Sequence, residues 1–116
     1  MATILLIEDE RAIRQLVSVV LRSAGHKVVE ASNGFEGIAL FRSSPDQFEL
    51  VLTDLEMPVM NGQQFVKLAR KTNVGVKIIC MSGFTNGRIP ENTEFLPKPF
   101  SPAALRASVD KLLKQP

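Results

Sequence analysis

Thr3-Ile4-Leu5-Leu6-Ile7-Glu8-Asp9-Glu10 changes character halfway: a short apolar run gives way at once to three acids. An unbroken apolar run of this length reads as a strand buried on both faces. It is too short for a membrane span or for the core of a signal peptide. The next residues change period. From Arg11 to Ala24, the side chains Ile13, Leu16, Val17, Val20 and Leu21 fall on one helical stripe, and Gly25 stands where a C-terminal cap is expected.

The same alternation continues along the chain. Lys27 to Ala31 reads as a second short strand. Asn33-Gly34 can cap and start a helix that carries Phe35, Ile38 and Ala39 inward, and Ser43-Ser44-Pro45-Asp46 closes it. Leu50-Val51-Leu52 is a third buried strand running into Asp54. Met57-Pro58 and Asn61-Gly62 mark a loop, and Gln63 to Lys71 a third helix. Val76 to Met81 is a fourth strand and Phe95-Leu96 a short fifth. Ser101-Pro102 is a strong helix start, with Leu105, Val109, Leu112 and Leu113 inward in the last helix. Apolar strands alternating with amphipathic helices predict an α/β fold with a parallel sheet covered on both faces. Five strands in this length suit the flavodoxin-like doubly wound order 2-1-3-4-5, in one domain spanning 1–116.

Composition narrows the function classes. Apolar residues make up 45% and charged residues 22%, with a net charge of +2, one His and no Lys/Arg run. That balance gives no footprint for direct nucleic-acid binding. Cys80 is the only cysteine. Flanked by Ile78, Ile79 and Met81, it reads as a small buried hydrophobe in a reducing compartment. The expected location is the cytoplasm, without membrane insertion. His26 reads as a surface residue, and Phe35, Phe41, Phe48 and Phe65 as core or partly buried packing.

Chemistry-bearing residues cluster at predicted strand ends. Glu8 and Asp9 follow the first strand, Asp54 the third, Ser82 the fourth and Lys98 the fifth. In the order above these strands are neighbours, and ligands in such sheets bind beyond the carboxyl ends, where strand order reverses. Three carboxylates brought together repel unless a cation sits among them. Oxygen-only ligands with room for water suit a hard ion such as Mg²⁺. A lysine and a hydroxyl nearby can hold an anionic oxygen, and a carboxylate beside them can attack phosphorus and carry an aspartyl phosphate. Taken singly, each residue has a plainer reading: a helix-start acid cluster at 8–10, a loop cap at Asp54, an ordinary turn at Ser82-Gly83, a solvated lysine at 98.

Four blocks, in order, carry a family resemblance: Ile4-Leu5-Leu6-Ile7-Glu8-Asp9-Glu10, Asp54-Leu55-Glu56-Met57-Pro58-Val59-Met60-Asn61-Gly62, Met81-Ser82-Gly83 and Phe95-Leu96-Pro97-Lys98-Pro99-Phe100. Together they resemble the response-regulator receiver family of two-component signalling, over nearly the whole chain. The resemblance implies that Asp54 is the phosphoacceptor and that Mg²⁺ is held by Glu8, Asp9, Asp54 and the backbone carbonyl of Glu56. It implies that Lys98 pairs with a phosphoryl oxygen, that Ser82 is the switch hydroxyl and that Phe95 occupies the aromatic switch position. It further implies a cis peptide before Pro99 and a histidine kinase or phosphotransfer domain as partner. Lys98-Pro99-Phe100-Ser101-Pro102 is similar to receivers attached to hybrid histidine kinases, so the chain is expected to be either a stand-alone receiver or one cut from a larger protein.

The sequence departs from the family between Gly83 and Pro97. The segment is short, Gly83, Gly87 and Pro90 interrupt it, and no helical stripe can be drawn. The fourth helix of the family is therefore expected to be short or missing. Glu56 and Phe84, two residues beyond the phosphoacceptor and the switch hydroxyl, occupy positions that tune phosphate hydrolysis in the family. Two other function classes stay open. One is an interaction module of the same fold that no longer accepts phosphate. The other is a phosphatase-type enzyme with an Asp nucleophile, disfavoured because the nucleophile here follows the third strand and position 56 is Glu. On the main reading the chain is a signalling domain rather than an enzyme.

Overall fold

A computed structural model of the chain describes residues 2–83 and 89–115. Five strands, β1 (Thr3–Ile7), β2 (Lys27–Ala31), β3 (Leu50–Asp54), β4 (Ile78–Ser82) and β5 (Glu94–Pro97), form one parallel sheet in the order β2-β1-β3-β4-β5. Four α-helices are described: α1 (Arg11–Ser23), α2 (Gly34–Ser43), α3 (Gly62–Thr72) and α4 (Pro102–Leu113). The predicted doubly wound architecture is the observed one. The physical cause is the apolar character of β1, β3 and β4, which cannot tolerate a solvent face and so require helices on both sides.

Alternate residues of the strands feed two separate cores. Leu5, Ile7, Val51, Ile78 and Cys80 pack with α2 and α3, and Ile4, Leu6, Leu50, Leu52, Ile79 and Met81 pack with α1 and α4. Phe41 anchors the first core, its ring 6.2 Å from Phe48 and 6.3 Å from Phe65. Each such fully buried side chain contributes roughly 1.5–3 kcal/mol relative to exposure. Cys80 belongs to this core, and burial pushes its thiol up to about 11, which makes it a packing residue.

Local signals explain where the helices begin and end. Asn33 accepts from Glu36 N at 2.8 Å, Asn61 and Gln64 form a reciprocal capping box, and Ser101 accepts from Ala104 N at 3.0 Å with Pro102 behind it. At the end of α1, Gly25 adopts φ +93° while Gly25 N bonds Arg22 O and His26 N bonds Leu21 O, a Schellman closure. Glu8, Asp9 and Glu10 do not serve α1 in this way. The first turn of the helix holds no acid, and Glu10 makes no side-chain cap.

Some of the predicted inward residues face solvent. In α2 the buried arc is Gly34, Gly37, Ile38 and Phe41, so Phe35 and Ala39 lie outside it, and Phe35 is 55% exposed. In α1, Ser18 rather than Leu16 completes the arc of Val17, Val20 and Leu21, leaving Leu16 exposed. His26 is half-buried rather than a surface residue, because its Nδ1 accepts from the Ala2 amide at 3.1 Å. Between β4 and β5, none of the described residues 89–93 is helical, in line with the expected short or missing helix. Residues 84–88, including Phe84, lie outside the described residues. The turn at 91–92 is held by Arg70 of α3, which donates to Glu91 O and to Asn92 O at 2.6 Å.

The loop after β3 carries the strained position. Met57 and Met60 are both buried, and between them Met60 N donates to Pro58 O at 2.8 Å while Val59 takes φ +70°. A three-residue turn with positive φ is costly for a β-branched side chain. Val59 is 82% exposed and so gains little packing in return. Val59→Gly is therefore expected to raise stability by about 1 kcal/mol, against the usual sign for a substitution to glycine. Urea unfolding checks this: the midpoint should rise with an unchanged slope, and a lower midpoint refutes the strain argument.

Candidate functional site

Parallel strands of matched register bring their carboxyl ends to one edge. The ladder continues past the strands themselves, with Glu8 N on Ala31 O at 3.1 Å, Leu55 N on Met81 O at 2.9 Å and Lys98 N on Ser82 O at 2.8 Å. These bonds fix the first residue beyond β1, β3 and β5, so Glu8, Asp54, Ser82 and Lys98 are positioned by backbone pairing rather than by flexible loop. Gly62 permits the turn into α3 beneath them. A Cβ there would lie 2.4 Å from Asp54 O and 2.8 Å from Leu55 Cα, so any larger residue would push the Asp54 backbone aside.

Lys98 sits at the centre. Its Nζ is 2.9 Å from Glu8 Oε1 and 3.0 Å from Asp54 Oδ2. Both acids are almost wholly buried, at 0% and 3% exposure, and such charges persist in a protein only when paired. Burial opposes the Lys98 charge, but the hydrogen bonds to Glu8 and Asp54, with their negative charge, outweigh it and raise its pKa. Glu8 is different. Burial, reinforced by the Asp54 charge, overcomes the hydrogen bonds from Lys98 and from Glu10 N and pushes Glu8 from 4.5 up to about 7. One ammonium does not neutralise the acidic group.

Glu8, Asp9 and Asp54 each offer an oxygen within 4.8 Å of the others, and Asp9 is exposed. An all-oxygen set with one solvent-facing member and surplus negative charge fits a hard divalent cation that keeps some of its water. This cluster can hold a metal ion. The remaining oxygens of the two buried acids are also bound: Asp54 Oδ1 accepts from Glu56 N at 3.0 Å, and Glu8 Oε2 accepts from Glu10 N at 3.0 Å.

Of the residues singled out from sequence, Glu8, Asp9, Asp54, Ser82 and Lys98 converge here. Phe95 stands apart, half-buried on the edge strand β5 opposite Cys80. The Lys98–Pro99 peptide is cis, as the resemblance implies. Two contacts were not anticipated. Arg14 donates to Glu8 O at 2.8 Å and pairs with Glu30 at 3.4 Å, tying α1 and β2 to the acidic turn. The Glu56 carboxylate accepts from Ser82 Oγ at 2.6 Å and from Gly83 N at 3.3 Å. The spacing of Glu56 from Asp54 marked the position, but no sequence signal reveals a partner 26 residues away.

Comparison with known proteins agrees with this geometry. The family model for the response regulator receiver domain matches residues 4–110. The sensor kinase CckA of Brucella abortus is 34% identical over 98% of the chain, which spans only 13% of that kinase. The response regulator receiver protein CpdR of the same organism is 30% identical over 97% of the chain and 98% of its own length. Among solved structures, the Vibrio cholerae chemotaxis protein CheY4 superposes with a TM-score of 0.87 at 31% identity, covering 97% of this chain and 98% of that one. The receiver domain from the hybrid histidine kinase CckA gives 0.87 at 29% identity, covering 97% and 99%. Seven of the first eight curated relatives are spanned to about half their length or less, so the likeness concerns one domain of those proteins. By its sequence blocks, its strand order and the match over residues 4–110, the chain belongs to the response regulator receiver domain family, a signalling domain of two-component systems.

Proposed function

We propose that the chain accepts a phosphoryl group on Asp54 from a phosphohistidine of a histidine kinase or phosphotransfer domain, and that the modified state changes the surface read by a downstream partner. The observation that carries this reading is the single ammonium of Lys98 shared by a buried Asp54 and a buried Glu8 at the carboxyl edge of the sheet. In the transfer, a carboxylate oxygen of Asp54 attacks phosphorus. The O–P bond forms, the N–P bond breaks, and the imidazole leaves with the electron pair and takes up a proton. Hydrolysis by water returns the Asp54 carboxylate and inorganic phosphate.

The chain's own residues supply positioning and charge. The Glu56 amide orients Asp54. Lys98 can exchange its bond to Asp54 for one to a phosphoryl oxygen, and charge-assisted bonds of that kind are strong in a site of low exposure. Mg²⁺ would be held by Glu8, Asp9, Asp54 and the Glu56 carbonyl, and when bound it would offset the negative charge of carboxylates and phosphate together. Ser82, at the end of the neighbouring strand, would turn its hydroxyl from Glu56 to the new group, and Phe95 on the adjoining edge strand would relay the change outward. The likeness to CckA supports a place in a phosphorelay of the hybrid-kinase type.

Acetyl phosphate with Mg²⁺ tests the chemistry directly by intact mass. One added phosphoryl group is expected. Asp54→Asn should abolish it and Lys98→Ala should slow it by about a hundredfold. No gain from acetyl phosphate or from a phosphorylated histidine donor refutes the reading.

The resting protein should also respond to pH through Glu8. Its folded value of about 7 lies above the ordinary 4.5, so between them the native protein holds a proton that the unfolded chain has lost. This contribution to stability is full below the unfolded value and disappears as pH rises through the folded one. In metal-free buffer, wild-type stability relative to Glu8→Gln should fall between about pH 5 and about pH 8. Parallel stability curves for the two proteins would show that Glu8 does not titrate in this way.

A further inference from the structure

The contact between Glu56 and the end of β4 has no place in the transfer chemistry. Glu56 follows Asp54 by two residues, and its amide holds Asp54 Oδ1 at 3.0 Å. Its carboxylate meanwhile reaches the neighbouring strand, accepting from Ser82 Oγ at 2.6 Å and Gly83 N at 3.3 Å. One residue thus links the phosphoacceptor to a hydroxyl and an amide that lie next to it across the sheet, since Asp54 is in register with Met81. A carboxylate held by a hydroxyl and a backbone N–H presents the same kind of oxygens, and the same charge sign, as a phosphoryl group on Asp54 would present to them.

We propose that the Glu56 carboxylate is an internal stand-in for the phosphoryl group, holding Ser82 and Gly83 in the resting protein and yielding them when Asp54 is modified. This rests on the receiver reading above and makes Glu56 a positioning residue for the switch. Three features support release rather than permanent attachment. Ser82 is buried, whereas Glu56 is exposed, so the carboxylate can turn into water with little desolvation cost while Ser82 stays in place. Glu56 has no ion-pair partner among the described residues, so nothing but Ser82 and Gly83 is shown to anchor its charge. A phosphoryl group on Asp54 also repels it directly, since both are anions. The resting hydrogen bonds must break before the modified state can form them, so the latch opposes occupation of the site.

The test uses beryllofluoride with Mg²⁺ as a non-covalent phosphoryl probe, followed by amide NMR of Ser82 and Gly83 in wild type, Glu56→Ala, Ser82→Ala and the double variant. In the free protein, Glu56→Ala should move the Gly83 amide resonance and speed its exchange. It should tighten beryllofluoride binding by about tenfold, the scale of losing one charge-assisted hydrogen bond. In the Ser82→Ala background the same substitution should gain only about twofold, because the contact it relieves is already gone. Equal gains in both backgrounds would mean charge repulsion without a latch, and unchanged or weaker binding by Glu56→Ala would also overturn the proposal. A Gly83 amide indifferent to Glu56 overturns it whatever the binding data. Failure of the wild type itself to take up the probe, and to be phosphorylated, instead overturns the receiver reading and removes the latch's role with it.

Discussion

Buried like charges repel, and this fold gathers them at one point. Glu8 and Asp54 are withdrawn from water at the edge of a parallel sheet, and one ammonium, Lys98, lies 2.9 Å from the first and 3.0 Å from the second. Three strands must end in the right place for that contact to exist: β1 delivers Glu8, β3 delivers Asp54 and β5 delivers Lys98. Removing the lysine would leave two uncompensated buried acids, a far larger penalty than loss of an exposed pair. Even with the lysine at hand, burial first and the Asp54 charge second raise Glu8 to about 7. The pocket is built with a deficit of positive charge, and a deficit of that kind attracts a cation.

The rest of the architecture serves this edge. Parallel pairing makes every strand end on the same side, and the apolar runs of β1, β3 and β4 supply the two cores that keep the pairing in register. Gly62 lets α3 start close beneath Asp54, and Arg14 draws α1 and β2 onto the Glu8 turn. Between β4 and β5, Arg70 holds the 91–92 turn by its carbonyls. β5 itself is placed by pairing with β4 and by packing of Leu96 against α4, and Lys98 with it.

The two acids two residues apart, Asp54 and Glu56, have opposite surroundings. Asp54 is enclosed and held by a lysine and an amide, while Glu56 is open to solvent and reaches back only through its carboxylate. The Glu56 amide restrains the first and its side chain engages Ser82 on the next strand. Asp54 and the end of β4 are thereby linked through a single residue, a short route by which a change of charge at one would reach the other.

Much of this was legible in the chain itself. The apolar runs, their spacing and the capping residues Asn33, Gly25 and Ser101 were enough for the strand order and the helix boundaries, because burial on two faces and helix termination are local properties of sequence. The same runs placed Glu8, Asp9, Asp54, Ser82 and Lys98 at strand ends, and four ordered blocks identified the family. Helix facing was less legible: the inward side of α1 and α2 depends on how each helix is rotated against the sheet, and Phe35 and Leu16 turned outward as a result. Tertiary structure alone decided which carboxylate shares the lysine, which one keeps its proton, and that Ser82 is engaged by Glu56. Those outcomes depend on distances of about 3 Å between residues tens of positions apart, and on burial that no single segment determines.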